Sequence, residues 1–190
     1  MRGTVIKVLA PEEFDEIEFH AARTGNHVRA AVRMTKLAQS AAGEGGMSRA
    51  EAHLRAGEQW LMADDAGAAA TEFTQAIDDG GPTFADPRVF LARAFFAMDR
   101  QGDAEALISA LGAHREQVAP RTCDLLAELY SDQGDLPTAL EWADCGVRRC
   151  LESDDKTELR LLLSLRYRIR NDLGLPEDDY DSLLDDRRGA

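Results

Sequence analysis

Lysine is nearly missing from this 190-residue chain: it occurs three times, at Lys7, Lys36 and Lys156, beside thirty alanines. Aromatic residues supply only 6% of the sequence, so any core has to be assembled from small side chains in close contact. Alanine is the best helix former and a poor strand former, which favours helices over a β-sandwich. No apolar run approaches the roughly 20 residues that cross a bilayer, and Met1–Ala10 is too short, and too broken by Arg2 and Lys7, for a signal peptide. Three cysteines make no even disulfide framework, so the expected compartment is a reducing cytoplasm. Scarce lysine with abundant Ala, Arg and Asp is the bias of a GC-rich bacterial genome.

Positive charge is also in deficit. Lys and Arg number 22 against 35 Asp and Glu, a formal net charge of −13. Nucleic-acid binders carry a basic face that displaces counterions from phosphate, and anionic membrane surfaces repel an acidic protein; neither partner is expected. No basic stretch is longer than Arg148-Arg149 or Arg166–Arg170. With 44% apolar and 30% charged residues the composition is that of an ordinary globular chain, long enough for one domain rather than two.

What is present is an internal repeat. Trp60, Phe95 and Tyr130 are spaced by 35 residues, as are Ala69, Ala104 and Ala139. The offset also links Phe73, Ile108 and Ala143, and Ala56, Leu91 and Leu126. Within the first copy Ala56, Trp60 and Ala63 share one face of a helix. A turn at Asp64–Gly67 follows, then a second helix with Ala69, Phe73, Ala76 and Ile77 on one face. Asp78–Pro82 ends it, since glycine permits a left-handed cap and proline cannot continue a helix. The second copy runs from Ala85 to Gln117 and the third from Pro120 to Cys150, turning at Gln133-Gly134-Asp135. Small residues at Ala69, Ala104 and Ala139 are expected to let two helices approach, with Trp60, Phe95 and Tyr130 filling the wedge.

The pattern of Ala56-Gly57, then Trp60, Ala69, Phe73, Ala76 and Pro82 resembles the tetratricopeptide repeat. Copies two and three match more loosely, with Ala92 and Ala127 in the glycine column and a period one residue longer than that family's. The resemblance implies an all-α fold, an α-solenoid of helix hairpins closed by a C-terminal capping helix. The expected organisation is an N-terminal extension over 1–10, a divergent hairpin over 11–46, three repeats over 47–152, a capping helix over 153–174 and an acidic tail over 175–190. The divergent hairpin pairs Pro11–Thr24 with His27–Ala42, followed by a loop at Gly43–Gly46. Thr4–Leu9 reads as a strand that could pair at an edge. In the cap Lys156–Asp172, the arginines Arg160, Arg166, Arg168 and Arg170 are expected on a polar outer face, and Tyr180, Leu183 and Leu184 of the tail as short docking contacts.

Catalytic and metal motifs are missing. Cys145 and Cys150 lie five apart on one helix, which turns them about 140° from each other, so all three cysteines read as small buried hydrophobes. His20, His27, His53 and His114 show no zinc spacing. Gly43–Gly46 lacks the Lys and Ser/Thr of a phosphate loop, and no nucleophile elbow occurs. Acidic pairs such as Asp64-Asp65, Asp78-Asp79 and Asp154-Asp155 fall at turns and helix ends. No enzyme, cofactor or metal is expected.

The resemblance further implies a concave groove lined by the first helices. Carried onto this sequence, its positions in the first copy are Glu51, Leu54, Glu58, Leu61 and Met62. The second copy contributes Asp86, Val89, Arg93, Phe96 and Ala97, and the third Arg121, Asp124, Glu128, Ser131 and Asp132. The lining is apolar at one end and acidic at the other, complementary to a peptide or helix with apolar anchors and a basic flank. Leu54 and Glu58 stand where carboxylate-clamping members of the family carry Lys and Asn, so that clamp is missing. Two functions follow as expectations: an adaptor or scaffold that holds a partner segment, or a structural subunit that self-associates.

Overall fold

The computed structural model describes residues 7–185. It is built of α-helices, ten among the described residues, most of them packed against neighbours in sequence order. They are α1 (Pro11–Thr24), α2 (His27–Ser40), α3 (Arg49–Met62), α4 (Ala66–Asp79), α5 (Pro87–Ala97), α6 (Gln101–Gly112), α7 (Pro120–Asp132), α8 (Leu136–Ser153), α9 (Lys156–Asp172) and α10 (Asp179–Asp185). A 3₁₀ turn, Arg115–Gln117, precedes α7. Length alone suggests one domain, yet the chain divides into two compact units, Met1–Ile108 and Ser109–Ala190. Helices that pack on their sequence neighbours do not gather the whole chain around a single core.

Three of the interhelical turns repeat atom for atom in their bonding. The amide of Asp65 donates to the Trp60 carbonyl (3.0 Å), that of Arg100 to Phe95 (2.8 Å) and that of Asp135 to Tyr130 (2.9 Å). One residue earlier, Asp64 donates to Leu61, Asp99 to Phe96 and Gly134 to Ser131. Asp64, Asp99 and Gly134 all have positive φ, at 61°, 57° and 79°. This is the paired-bond Schellman ending, in which a left-handed residue turns the last carbonyls back onto the chain; aspartate tolerates that conformation better than most side chains. Asp65 and Asp135 then start the next helix, their carboxylates accepting from the amides of Ala68 (2.9 Å) and Thr138 (3.2 Å). Each such aspartate therefore closes one helix and opens another.

In the first unit the core joins α1, α2 and α3 through Phe14, Ile17, Met34, Leu37, Ala52 and Ala56, with Leu9 beneath them. Of the four repeating columns, those of Ala56, Ala69 and Phe73 are buried in every copy. Trp60, Phe95 and Tyr130 are only half-buried, so they do not fill the interhelical wedge as expected. The large buried residue is Phe73 on the second helix, seated where Gly57 leaves room on the first: a Cβ at Gly57 would overlap the Phe73 ring. Phe73 in turn lies 5.6 Å from the Phe90 ring of α5. Large against small is the correct principle, but the large partner comes from the opposite helix.

A short parallel ribbon, β1 (Lys7–Leu9) with β2 (Ala41–Gly46), accompanies the helices, its register irregular between Lys7 and Leu9. Two expectations change here. Helix α2 stops at Ser40 rather than Ala42, and 41–46 is a strand rather than a loop. Thr4, Val5 and Ile6 lie outside the described residues.

The second unit packs α8 and α9 through Val147, Cys150, Leu159, Leu162 and Leu163, with Tyr180, Leu183 and Leu184 of the tail laid against them as expected. Arg166 is not on an outer face. Its side chain is 3% exposed and bonds Asp144 (2.6 Å), Asp178 (2.9 Å) and Asp181 (3.0 Å), with the Tyr180 ring 4.9 Å away. One arginine thus ties α8, α9 and α10 together, because a buried guanidinium needs acceptors for all its donors.

Candidate functional site

Helix α3 is capped by Ser48, whose hydroxyl accepts from the Glu51 amide (2.9 Å). Its acidic residues then fall on one face. Glu51 accepts from the Phe84 amide (3.0 Å), and burial raises its carboxyl above the usual range. Arg55, one turn on, forks onto Glu18 of α1 (2.7 and 2.5 Å) and reaches Asp15 (2.6 Å), which raises its already high pKa. Glu58 completes the row with no such fork. Burial first, then the Glu18 carboxylate and, less, that of Glu51, push its carboxyl up to about 7 against the opposing charges of Arg93 on α5 and Arg55. A face crossing α1, α3 and α5 therefore holds four carboxylates, Asp15, Glu18, Glu51 and Glu58, against two guanidinium groups, and among the described residues Glu58 has no direct cationic partner.

The expected groove residues do not all belong to this surface. Leu54 and Val89 are 0% and 1% exposed, so they are core residues and cannot touch a partner; α3 has α2, α4 and α5 around it, and most of its circumference is inside. Leu61, Phe96, Glu51, Glu58 and Arg93 are half-buried, and Met62 is 60% exposed. Apolar surface along this face is thus narrower than the sequence suggests, centred on Met62 and the edges of Leu61 and Phe96.

The five expected residues of the third copy lie in the second unit, all on α7. Arg121 bonds Asp124 (2.5 Å) and stands 3.6 Å from Glu158 of α9. Asp124 is buried rather than presented, and burial with the Glu128 charge pushes its carboxyl up to about 6. One oxygen of Glu158 is buried with no hydrogen-bond partner. This cluster is acidic and inward, a structural node more than an open contact.

A cleft that the sequence did not reveal lies between α2 and α4. It measures about 350 Å³ and is lined by Val32, Thr35, Lys36, Gln39, Trp60, Ala68, Thr71 and Glu72. Beneath it the buried Glu72 carboxylate accepts from the Thr35 hydroxyl (2.8 Å) and pairs with His53 Nδ1 (2.7 Å). Two good partners satisfy that carboxylate and leave no nucleophile for it to activate, so the trio serves as a polar tie between α2, α3 and α4. The one sequence signal was a glutamate set inside the apolar stripe Ala69, Phe73, Ala76.

No protein-family model, characterised protein or solved structure matches this chain. Among the described residues there is no grouping of His, Cys, Asp and Glu able to hold a metal ion, and no helix is long and apolar enough to cross a membrane.

Proposed function

We propose that the chain is a non-catalytic interaction module of tetratricopeptide-repeat type. The face of α1, α3 and α5 binds a partner segment that carries a cationic side chain beside an apolar anchor. The 35-residue recurrence of identical Schellman turns supports the repeat reading. The observation that carries the binding reading is Glu58, a half-buried carboxyl that burial first, and then the Glu18 and Glu51 charges, push up to about 7. A lysine or arginine placed there relieves that repulsion, while Met62, Leu61 and Phe96 offer the adjoining apolar contact.

Fluorescence anisotropy with short peptides tests this. Peptides with a basic flank and a leucine or phenylalanine anchor are expected to bind, and the same peptides with an acidic flank are not. Glu58→Gln is expected to weaken binding by about ten-fold, the scale of one charge-assisted contact. Equal binding of acidic and basic peptides overturns the reading. So does a pull-down in which folded Leu61→Asp and Phe96→Asp variants keep every partner of the parent chain.

A further inference from the structure

Helices α2 and α4 both lie against α3 and far less against each other, and the cleft of about 350 Å³ is what that arrangement leaves between them. An apolar cavity of about 150 Å³ already takes a benzene, and sites for small molecules run from about 300 Å³ upward. The space therefore suits a ring or a branched alkyl group that carries polar substituents. Its apolar lining is Val32, exposed on α2, and the half-buried indole of Trp60 on α3. Ala68, in the first turn of α4, keeps the cleft open because its side chain is a single methyl group.

The polar lining carries both signs of charge. Lys36 and Gln39 stand three apart on α2 and so share a face, and both are exposed. The opposite charge is Glu72 of α4, which lines the same cleft at 6% exposure. Its carboxylate accepts from the Thr35 hydroxyl (2.8 Å) and pairs with His53 Nδ1 (2.7 Å). A carboxylate offers about four lone-pair sites, so two donors leave it able to accept from a third. Among the described residues the ion pair of Glu72 is with His53 and not with Lys36, although Thr35, bonded to Glu72, is the residue before Lys36. Two opposite charges thus border one cleft without neutralising each other, and the flexible lysine stem sets the distance between them.

A ligand of one sign is attracted by one of these groups and repelled by the other. A zwitterion is attracted by both. We propose that the cleft between α2 and α4 is a binding site for a free α-amino acid with an apolar side chain. The ligand carboxylate is held by the Lys36 ammonium and the Gln39 carboxamide, and its ammonium donates to Glu72. Its side chain lies against the Trp60 indole and Val32. None of these residues belongs to the face of Glu58, Leu61, Met62 and Phe96, so this site stands or falls independently of the peptide reading.

Isothermal titration calorimetry of the full chain at neutral pH tests this with three probes that share one ring. L-phenylalanine carries both charges, 3-phenylpropionate lacks the ammonium and phenethylamine lacks the carboxylate. L-phenylalanine is expected to bind, and each truncated probe to bind at least about ten-fold more weakly, the scale of one charge-assisted hydrogen bond. Lys36→Met, at an exposed position, is expected to weaken L-phenylalanine by about ten-fold and to leave phenethylamine no weaker. Ala68→Met fills the cleft and is expected to abolish binding of all three. Equal affinity for L-phenylalanine and 3-phenylpropionate would make this an anion site and overturn the proposal. Equal affinity for L-phenylalanine and phenethylamine would make it a cation site and do the same. So would the absence of L-phenylalanine binding at millimolar concentration, or an affinity unchanged by either substitution.

Discussion

At Gly57 the missing Cβ makes the room that Phe73 occupies, and Phe73 carries the contact onward to Phe90. Gly57→Ala forces the ring or the helix to move and is expected to cost about 1–3 kcal/mol in urea denaturation, as overpacking of a filled core does. Gly102, in the exposed second position of α6, has nothing near a prospective Cβ; Gly102→Ala is expected to stabilise by about 0.5–1 kcal/mol through helix propensity. Equal signs for the two substitutions would refute the packing account. Glu58 gives a prediction in pH. The unfolded chain releases this proton near 4.5, whereas the folded chain keeps it up to about 7. Between those values the native state binds more protons than the unfolded one, so stability falls as pH rises across this window and levels above it. Glu58→Gln is expected to flatten that fall in thermal melts taken from pH 5 to about 8, while weakening the binding of basic peptides. A flattened melt profile with unchanged peptide affinity would mark Glu58 as a structural acid only.

Among the elements, α10 is seven residues long and is held by two arginines of α9, Arg166 and Arg170, and by Tyr180, Leu183 and Leu184 packed on the core. Arg166→Met takes a cation from three carboxylates and leaves Asp178 and the buried Asp181 with Arg170 alone. It is expected to cost about 3–5 kcal/mol and to open α10 first, seen as early hydrogen exchange at Tyr180 to Leu184. Arg166 also holds the Asp178 carboxyl below the usual aspartate range. A depressed acid stabilises the fold above its unfolded pKa and loses that contribution as pH falls through its folded value. Detachment of α10 in acid is therefore expected before the rest of the unit unfolds, and simultaneous loss of both would contradict it. The elements were legible in the sequence to within a few residues where local chemistry marks their ends: Pro11, Pro120 and Lys156 begin helices at the expected places. What could not be read were choices made by tertiary contact. Six residues of the Gly-rich segment became a strand because β1 lay alongside. Arg166 turned inward because three aspartates distant in sequence met it. Leu54 and Val89 were assigned to a surface by position in the repeat, yet neighbouring helices enclose them.

Over the whole molecule a net charge of −13 decides how copies of the chain meet one another and how they meet a basic partner. Exposed large apolar side chains among the described residues are few: Phe19, Val28, Val32, Met62 and Phe84 in one unit, Leu151, Leu161, Tyr167 and Leu175 in the other, with Val28 and Val32 one turn apart on α2. A stable protein interface buries about 1,200–2,000 Å² around a packed centre. Single exposed residues do not supply that, and like charge on two approaching copies opposes it. The chain is therefore expected to scatter light as a 20.9 kDa monomer independent of concentration. Salt separates this from the alternative of a self-associating subunit, because the two forces respond in opposite directions. Attraction between the α3 face and a cationic segment is screened as the Debye length falls from about 10 Å at 0.1 M salt to about 3 Å at 1 M, so peptide affinity is expected to drop. Repulsion between copies is screened by the same salt, so a latent dimer would grow stronger. A mass that doubles with added salt and returns to monomer in Met62→Asp would assign the face to self-assembly and remove the adaptor reading. A constant mass with falling peptide affinity is the outcome that the carboxylates around Glu58 require.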